Sequence, residues 1–148
     1  MHNKVSGDVS TSLAYDLIVS SLIPPSKVRT HSQLWSSTIP LKIICFVWLC
    51  IENQINTWDN LRKKGWSGPN RCSLCKNIKE SVNHLFMECS FTRDAINLLH
   101  MKFNYSLLWD DVYLLGDIEG WFKRNKTLLY LPLFLIWNLW ISRNLCIF

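Results

Sequence analysis

Apolar side chains along this chain recur at spacings of three and four, the repeat that gathers them on one face of a helix, and seldom alternate as in a half-buried strand. In "STSLAYDLIVSSL" the stripe is Leu13, Leu17 and Val19 to Leu22, with Ser10 or Thr11 as a cap and "IPPSK" as the stop. A second helix should start near Pro40, where the missing proline N–H costs nothing, and "LKIICFVWLCI" is apolar on nearly every side, the mark of a core helix. "TWDNLRKKGW" predicts a short third helix capped by Thr57 and ended by Gly65, followed by the turn "SGPN". "FTRDAINLLHMKF" and "LLWDDVYLLG" are compatible with two more helices, and a last one should run from about Pro132 to Cys146. The expected fold class is mainly α: a small helical domain followed by further C-terminal helices. No repeat or Gly/Ser-rich linker marks a boundary.

Composition agrees with a packed domain. Of 148 residues, 49% are hydrophobic, only 18% are charged and eight are tryptophan, too apolar for a disordered chain. The runs Ile43 to Ile51 and Leu128 to Trp137 fall short of the roughly 20 apolar residues a membrane span needs, so core helices are expected instead. "MHNKVSGDVSTS" offers no apolar signal-peptide core. An intracellular chain, nuclear or cytoplasmic and not secreted, is therefore expected, in a compartment where disulfides are disfavoured. The net charge of +5 would suit a polyanionic partner without requiring one.

The six cysteines change this picture, because three of them fall with a histidine in "RCSLCKNIKESVNHLFMECSF", spaced C-x2-C-x8-H-x4-C. Two thiolates two residues apart can converge on one metal ion from a tight knuckle, and His84 and Cys89 complete four ligands with Cys72 and Cys75. Positions five apart diverge by roughly 140° on a continuous α-helix. The helix carrying Val82, Leu85 and Phe86 should therefore end near Glu88, so that Cys89 can fold back toward His84. Three thiolates, an imidazole and Zn²⁺ sum to −1, which Arg71, Lys76 and Lys79 would offset. Four protein ligands leave no open position, making one zinc structural and not catalytic. The alternative is a chance cluster in a reduced core, where Cys45, Cys50 and Cys146 belong as inert residues of apolar helices. His31 and His100 have no partners nearby in sequence and are expected at the surface or an interface.

The run from residue 34 to 91 resembles the plant reverse-transcriptase zinc-binding domain. The matching elements are Trp35, Pro40 with Lys42, Phe46 with Trp48, Thr57-Asp59-Asn60-Leu61, Gly65-Trp66, Cys72-Leu74-Cys75 and Glu80-His84-Leu85-Phe86-Cys89. "GDVSTSLAYDLI" resembles the family's entry helix, and "IWNLWISRNLCIF" its "W-x-I-W-x-x-R-N" element, which often precedes a ribonuclease-H region. The resemblance implies a module of non-LTR (LINE-type) retroelement polyproteins, with polymerase or ribonuclease-H regions as neighbours. The expected division is an entry region over 1–33, the zinc-binding domain over 34–103 and a helical tail over 104–148.

Catalysis is not expected. Asp110-Asp111 looks superficially like the paired aspartates that hold Mg²⁺ in polymerases, but Leu108 replaces the aromatic of that motif and no third carboxylate is supplied. No phosphate loop or nucleophile constellation appears either, so no small-molecule substrate is expected. Three readings remain open. One is nucleic-acid binding, to RNA or DNA, through Arg62, Lys63, Lys64, Arg71, Lys76 and Lys79, with Trp66 stacking on a base. Another is a structural or protein-interaction domain, with those lysines as a solvated face and Trp66 in the core. The third is a decayed retroelement fragment without activity.

Overall fold

The computed structural model describes residues 38–104 and 130–147, together with Leu17, Ser32, Leu34, Trp35 and Ile118. The first predicted helix, His31, Asp110-Asp111 and the "LLWDDVYLLG" helix lie outside these residues, Leu17 excepted. The described part is mostly helical: α1 (Leu41–Ile51), α2 (Trp58–Lys63), a π-turn (His84–Glu88), α3 (Ser90–Phe103) and α4 (Leu131–Leu145). It contains no strand, only an isolated bridge between Arg71 and Lys79.

Helix α1 follows Pro40 and buries Ile43, Ile44, Phe46, Val47 and Cys50, a stripe at i, i+1, i+3, i+4 and i+7. It packs against α4, which contributes Leu133, Leu135, Ile136 and Leu139. Phe46 sits at the centre of this contact, edge-on to Phe86 and Trp137 at centroid distances of 6.4 and 5.3 Å and tilted against Trp140 at 5.4 Å. Such aromatic pairs add to area burial because ring edges meet ring faces. Pro132, at the start of α4, leaves no intrahelical bond unmade. No helix among the described residues is long and apolar enough to cross a membrane.

Both α1 and α2 end in the same way. The residue just past each cap is left-handed, Asn53 with φ 55° and Gly65 with φ 87°. The next N–H returns to the helix, Gln54 to the Leu49 carbonyl at 2.8 Å and Trp66 to the Leu61 carbonyl at 3.1 Å. At its N-terminus α2 departs from expectation. Thr57 is the cap residue, but its hydroxyl bonds the Asp59 carboxylate and makes no cap to the backbone. The Trp58 N–H is taken instead by the carboxylate of Glu80, at 3.1 Å. Cys146 also differs: just past the end of α4 it is exposed, whereas Cys50 is buried and Cys45 half-buried.

Candidate metal centre

The segment from Asn70 to Glu80 is a backbone-bonded knuckle. Cys72 N–H donates to the Ile78 carbonyl at 2.8 Å, Lys76 N–H to the Cys72 carbonyl at 2.8 Å, and Glu80 N–H to the Asn70 carbonyl at 3.0 Å. Lys76, with φ 57°, takes the left-handed conformation that turns the chain after Cys75. The C-x2-C pair is thus folded onto one side of a tight loop. His84 and Cys89 arrive from a different element, the π-turn, in which Cys89 N–H bonds the His84 carbonyl at 2.7 Å. A π-turn closes residue i onto i+5, the spacing of these two donors, so both present to the same point. The expected break after Glu88 is present, since Cys89 is extended (φ −61°, ψ 132°) and serves as N-cap of α3.

One donor atom each from Cys72, Cys75, His84 and Cys89 falls within 4.8 Å of all the others. Cys72 Sγ and Cys89 Sγ are 3.9 Å apart, and Cys75 Sγ is 3.3 Å from His84 Nε2. Around a tetrahedral Zn²⁺ with ordinary bond lengths, such pairs stand about 3.8 Å and about 3.5 Å apart. The donor set fits the ion. Cys72, His84 and Cys89 are buried and Cys75 half-buried, so the site is sheltered from water. No disulfide competes, as all six cysteines are free.

The electrostatics of the donors are uneven. Burial pushes the Cys72 thiol up to about 12. Burial also acts to raise Cys75, but hydrogen bonds from the Ile78 and Asn77 backbone N–H groups and the His84 side chain outweigh it and bring Cys75 down to about 6. At neutral pH Cys75 is already a thiolate, while Cys72 holds a proton that a bound cation would displace. Metal affinity therefore falls as pH is lowered, and falls faster below about 6, where Cys75 also protonates. With Nε2 turned to the metal donors, His84 Nδ1 is buried without a hydrogen-bond partner, and the Glu88 carboxylate lies 3.9 Å away.

The residues expected to meet nucleic acid fall into two groups. Arg62, Lys63 and Lys64 are exposed at the C-terminal end of α2, where Lys63 Nζ bonds Asn60 Oδ1 and Lys64 Nζ bonds Asn56 Oδ1, each at 3.0 Å. Arg71, Lys76 and Lys79 are exposed on the knuckle. Trp66 is 39% exposed, and its ring stacks on Trp58 at 4.7 Å and 14°. Gly68 comes so close that a Cβ there would lie 1.9 Å from the Trp66 ring, so any other residue would displace the ring from this position. His100 is exposed, as expected.

Sequence reasoning missed the neighbour of the cluster. Glu80 is fully buried, and Arg143, only 4% exposed, bonds it through Nη2 at 2.6 Å and Nε at 3.2 Å. Both residues stand in motif elements, but a separation of 63 positions gives no local signal of their partnership.

A helical scaffold, a backbone-bonded knuckle and a Cys3His cluster of tetrahedral dimensions define a zinc-binding domain with one Zn²⁺ as its cofactor. The chain belongs to the family described as zinc-binding in reverse transcriptase, which matches residues 10–95. It is also similar to an Arabidopsis thaliana protein named as a ribonuclease H protein, with 26% identity over 84 residues. That match takes in 56% of this chain and 14% of the relative's length. No solved structure matches the chain.

Proposed function

We infer that this chain acts as a non-catalytic accessory module of a retroelement reverse transcriptase, holding one structural zinc through Cys72, Cys75, His84 and Cys89 and binding nucleic acid weakly. The observation that carries the reading is the four-donor cluster itself. When bound, zinc cross-links the knuckle to the π-turn, and four protein donors complete a tetrahedron with no position left for substrate. The chain's own residues then supply the surface. Arg71, Lys76 and Lys79 are exposed on the knuckle, Arg62, Lys63 and Lys64 are exposed at the end of α2, and the Trp66 indole is partly exposed two residues further on. The zinc-binding unit is residues 34–103, with the 104–148 tail leading toward polymerase or ribonuclease-H neighbours. Free thiolates suit a reducing compartment, nucleus or cytoplasm.

The test is metal analysis of the purified chain combined with a salt titration against single-stranded RNA and duplex DNA. One zinc per chain is expected, with an affinity for single strands that falls with salt by roughly −0.7 per contacted phosphate. Replacing Lys63 and Lys64 by Ala should flatten that slope. Zinc-loaded protein that binds neither nucleic acid at low salt would shift the reading to a docking domain for neighbouring polyprotein regions. A specific observation favours that second reading: the Trp66 ring is already stacked on Trp58 and closely approached by Gly68, which limits its freedom to take a base.

A further inference from the structure

The Glu80 carboxylate joins three parts of the molecule at one buried point. Its Oε1 accepts the Trp58 N–H that opens α2, and its Oε2 accepts the Ser73 N–H of the knuckle at 3.4 Å, one residue after Cys72. From the far end of the chain, Arg143 of α4 brings the only guanidinium bonded to it among the described residues. Arg143 is committed to this position. Its guanidinium carbon lies 4.8 Å from the Trp58 ring centre and 4.9 Å from that of Trp140, and Nη1 donates to Asn144 Oδ1 at 3.0 Å.

A buried carboxylate and a buried guanidinium are tolerable only together, because either one alone keeps its desolvation cost without a counter-charge. The knuckle fixes where Glu80 sits, through the bond from Glu80 N–H to Asn70 and the bond from Ser73. Whatever orders the knuckle therefore orders the counter-charge of Arg143, and whatever seats α4 supplies the counter-charge of Glu80.

We propose that the Glu80–Arg143 pair couples the zinc site to the docking of α4: zinc binds more tightly when α4 is seated, and the C-terminal turns of α4 are held more firmly when zinc is bound. This rests on the zinc reading above and adds to it a linkage, which is reciprocal by thermodynamic necessity. Glu80 and Arg143 are positioning residues here, since neither donates to the metal. In a longer polypeptide, the consequence would be that zinc occupancy governs how rigidly the segment after α4 is aimed.

The test uses the full chain, with zinc affinity measured by competition against a chromophoric chelator and backbone amide exchange followed with zinc and after chelation. In the wild type, chelation should raise exchange over residues 139–145 tenfold or more, while α1 changes far less. Arg143→Met, which keeps bulk and removes charge, should weaken zinc binding about tenfold and leave the Co²⁺-substituted protein with a broadened thiolate absorption spectrum. Glu80→Gln combined with Arg143→Met removes both charges and keeps an acceptor for Trp58. It should recover most of the affinity while making α4 exchange independent of zinc. A chain that binds zinc but whose α4 exchange ignores it would overturn the coupling alone, as would an Arg143→Met protein with wild-type affinity. A wild type that takes up no zinc would overturn the zinc reading and this proposal with it.

Discussion

Between α1 and α4 the chain is held by apolar area: Phe46, Val47, Leu133, Ile136 and Leu139 meet with almost no polar atom among them. Between Asn70 and Cys89 polar and ligating groups share the interior with apolar ones. There Cys72, His84, Cys89 and Glu80 are buried beside Val82, Leu85, Phe86 and Met87, and the knuckle is held by a few directional backbone bonds. The first region tolerates change in proportion to the volume lost, since hydrophobic contact is not directional. The second tolerates almost none, because a missing donor cannot be replaced by repacking. A small domain can thus set chemically different ends side by side, one graded in its response and one nearly all-or-none.

The largest effect should come from breaking the directional end. Cys75→Ser, or a strong chelator, is expected to take bound zinc from one per chain to none and to release residues 70–89 to fast exchange, while α1 keeps its protection. Structural zinc contributes on the order of 10–16 kcal/mol of apparent binding free energy in small peptides at pH 7. Metal analysis and exchange mapping on the same sample check both halves of the claim, and unchanged order of the knuckle without metal would erase the contrast between the two regions.

Next in size is the graded end. Phe46→Ala removes the ring that meets Phe86, Trp137 and Trp140, and a loss of about 3–5 kcal/mol of stability is expected from the cavity. Denaturant unfolding measures it. The folded fraction should still hold one zinc, and a protein that stays folded yet loses its zinc would mean the two regions are not separable in this way.

Smaller still is the effect of Glu88→Ala. His84 Nδ1 is buried with the Glu88 carboxylate 3.9 Å away, and an acceptor for that N–H fixes the ring for metal binding. Zinc affinity should fall by about 10- to 100-fold without change in stoichiometry. Glu88→Gln, which keeps an acceptor oxygen, should fall between the two. Equal affinity in all three proteins would assign the orientation of His84 to packing alone.

Much of this is legible in the chain itself, for identifiable reasons. The helices α1, α3 and α4 are readable because their apolar spacing is long and regular, and the Cys3His cluster because metal ligation demands particular residue types at particular intervals. The end of the turn at Glu88 comes from geometry, since Cys89 could not otherwise face His84. That the turn is of π type is not readable, because no side-chain propensity encodes it and the convergence of the two donors selects it. The cap of α2 misleads for a different reason: Thr57 has the right chemistry locally, but its hydroxyl is engaged by the Asp59 carboxylate, and the Trp58 N–H is bound by Glu80 from 22 residues away. Cys146 has apolar neighbours in sequence, yet the helix ends just before it and leaves it at the surface.

The π-turn has a consequence for the kinds of change this segment can absorb. It counts residues: five positions separate His84 from Cys89, and α3 begins at the next one. Removing any one of Leu85 to Glu88 would let the backbone relax to an ordinary α-turn, and each residue lost rotates the downstream helix by about 100° around its axis. Helix α3 would then present different side chains inward, swinging Thr92 and Ile96 out of the positions where they are buried. Substitution and deletion part company at Glu88. Its side chain is exposed and can be exchanged at a cost in affinity that leaves the fold standing, but its place in the chain cannot be vacated.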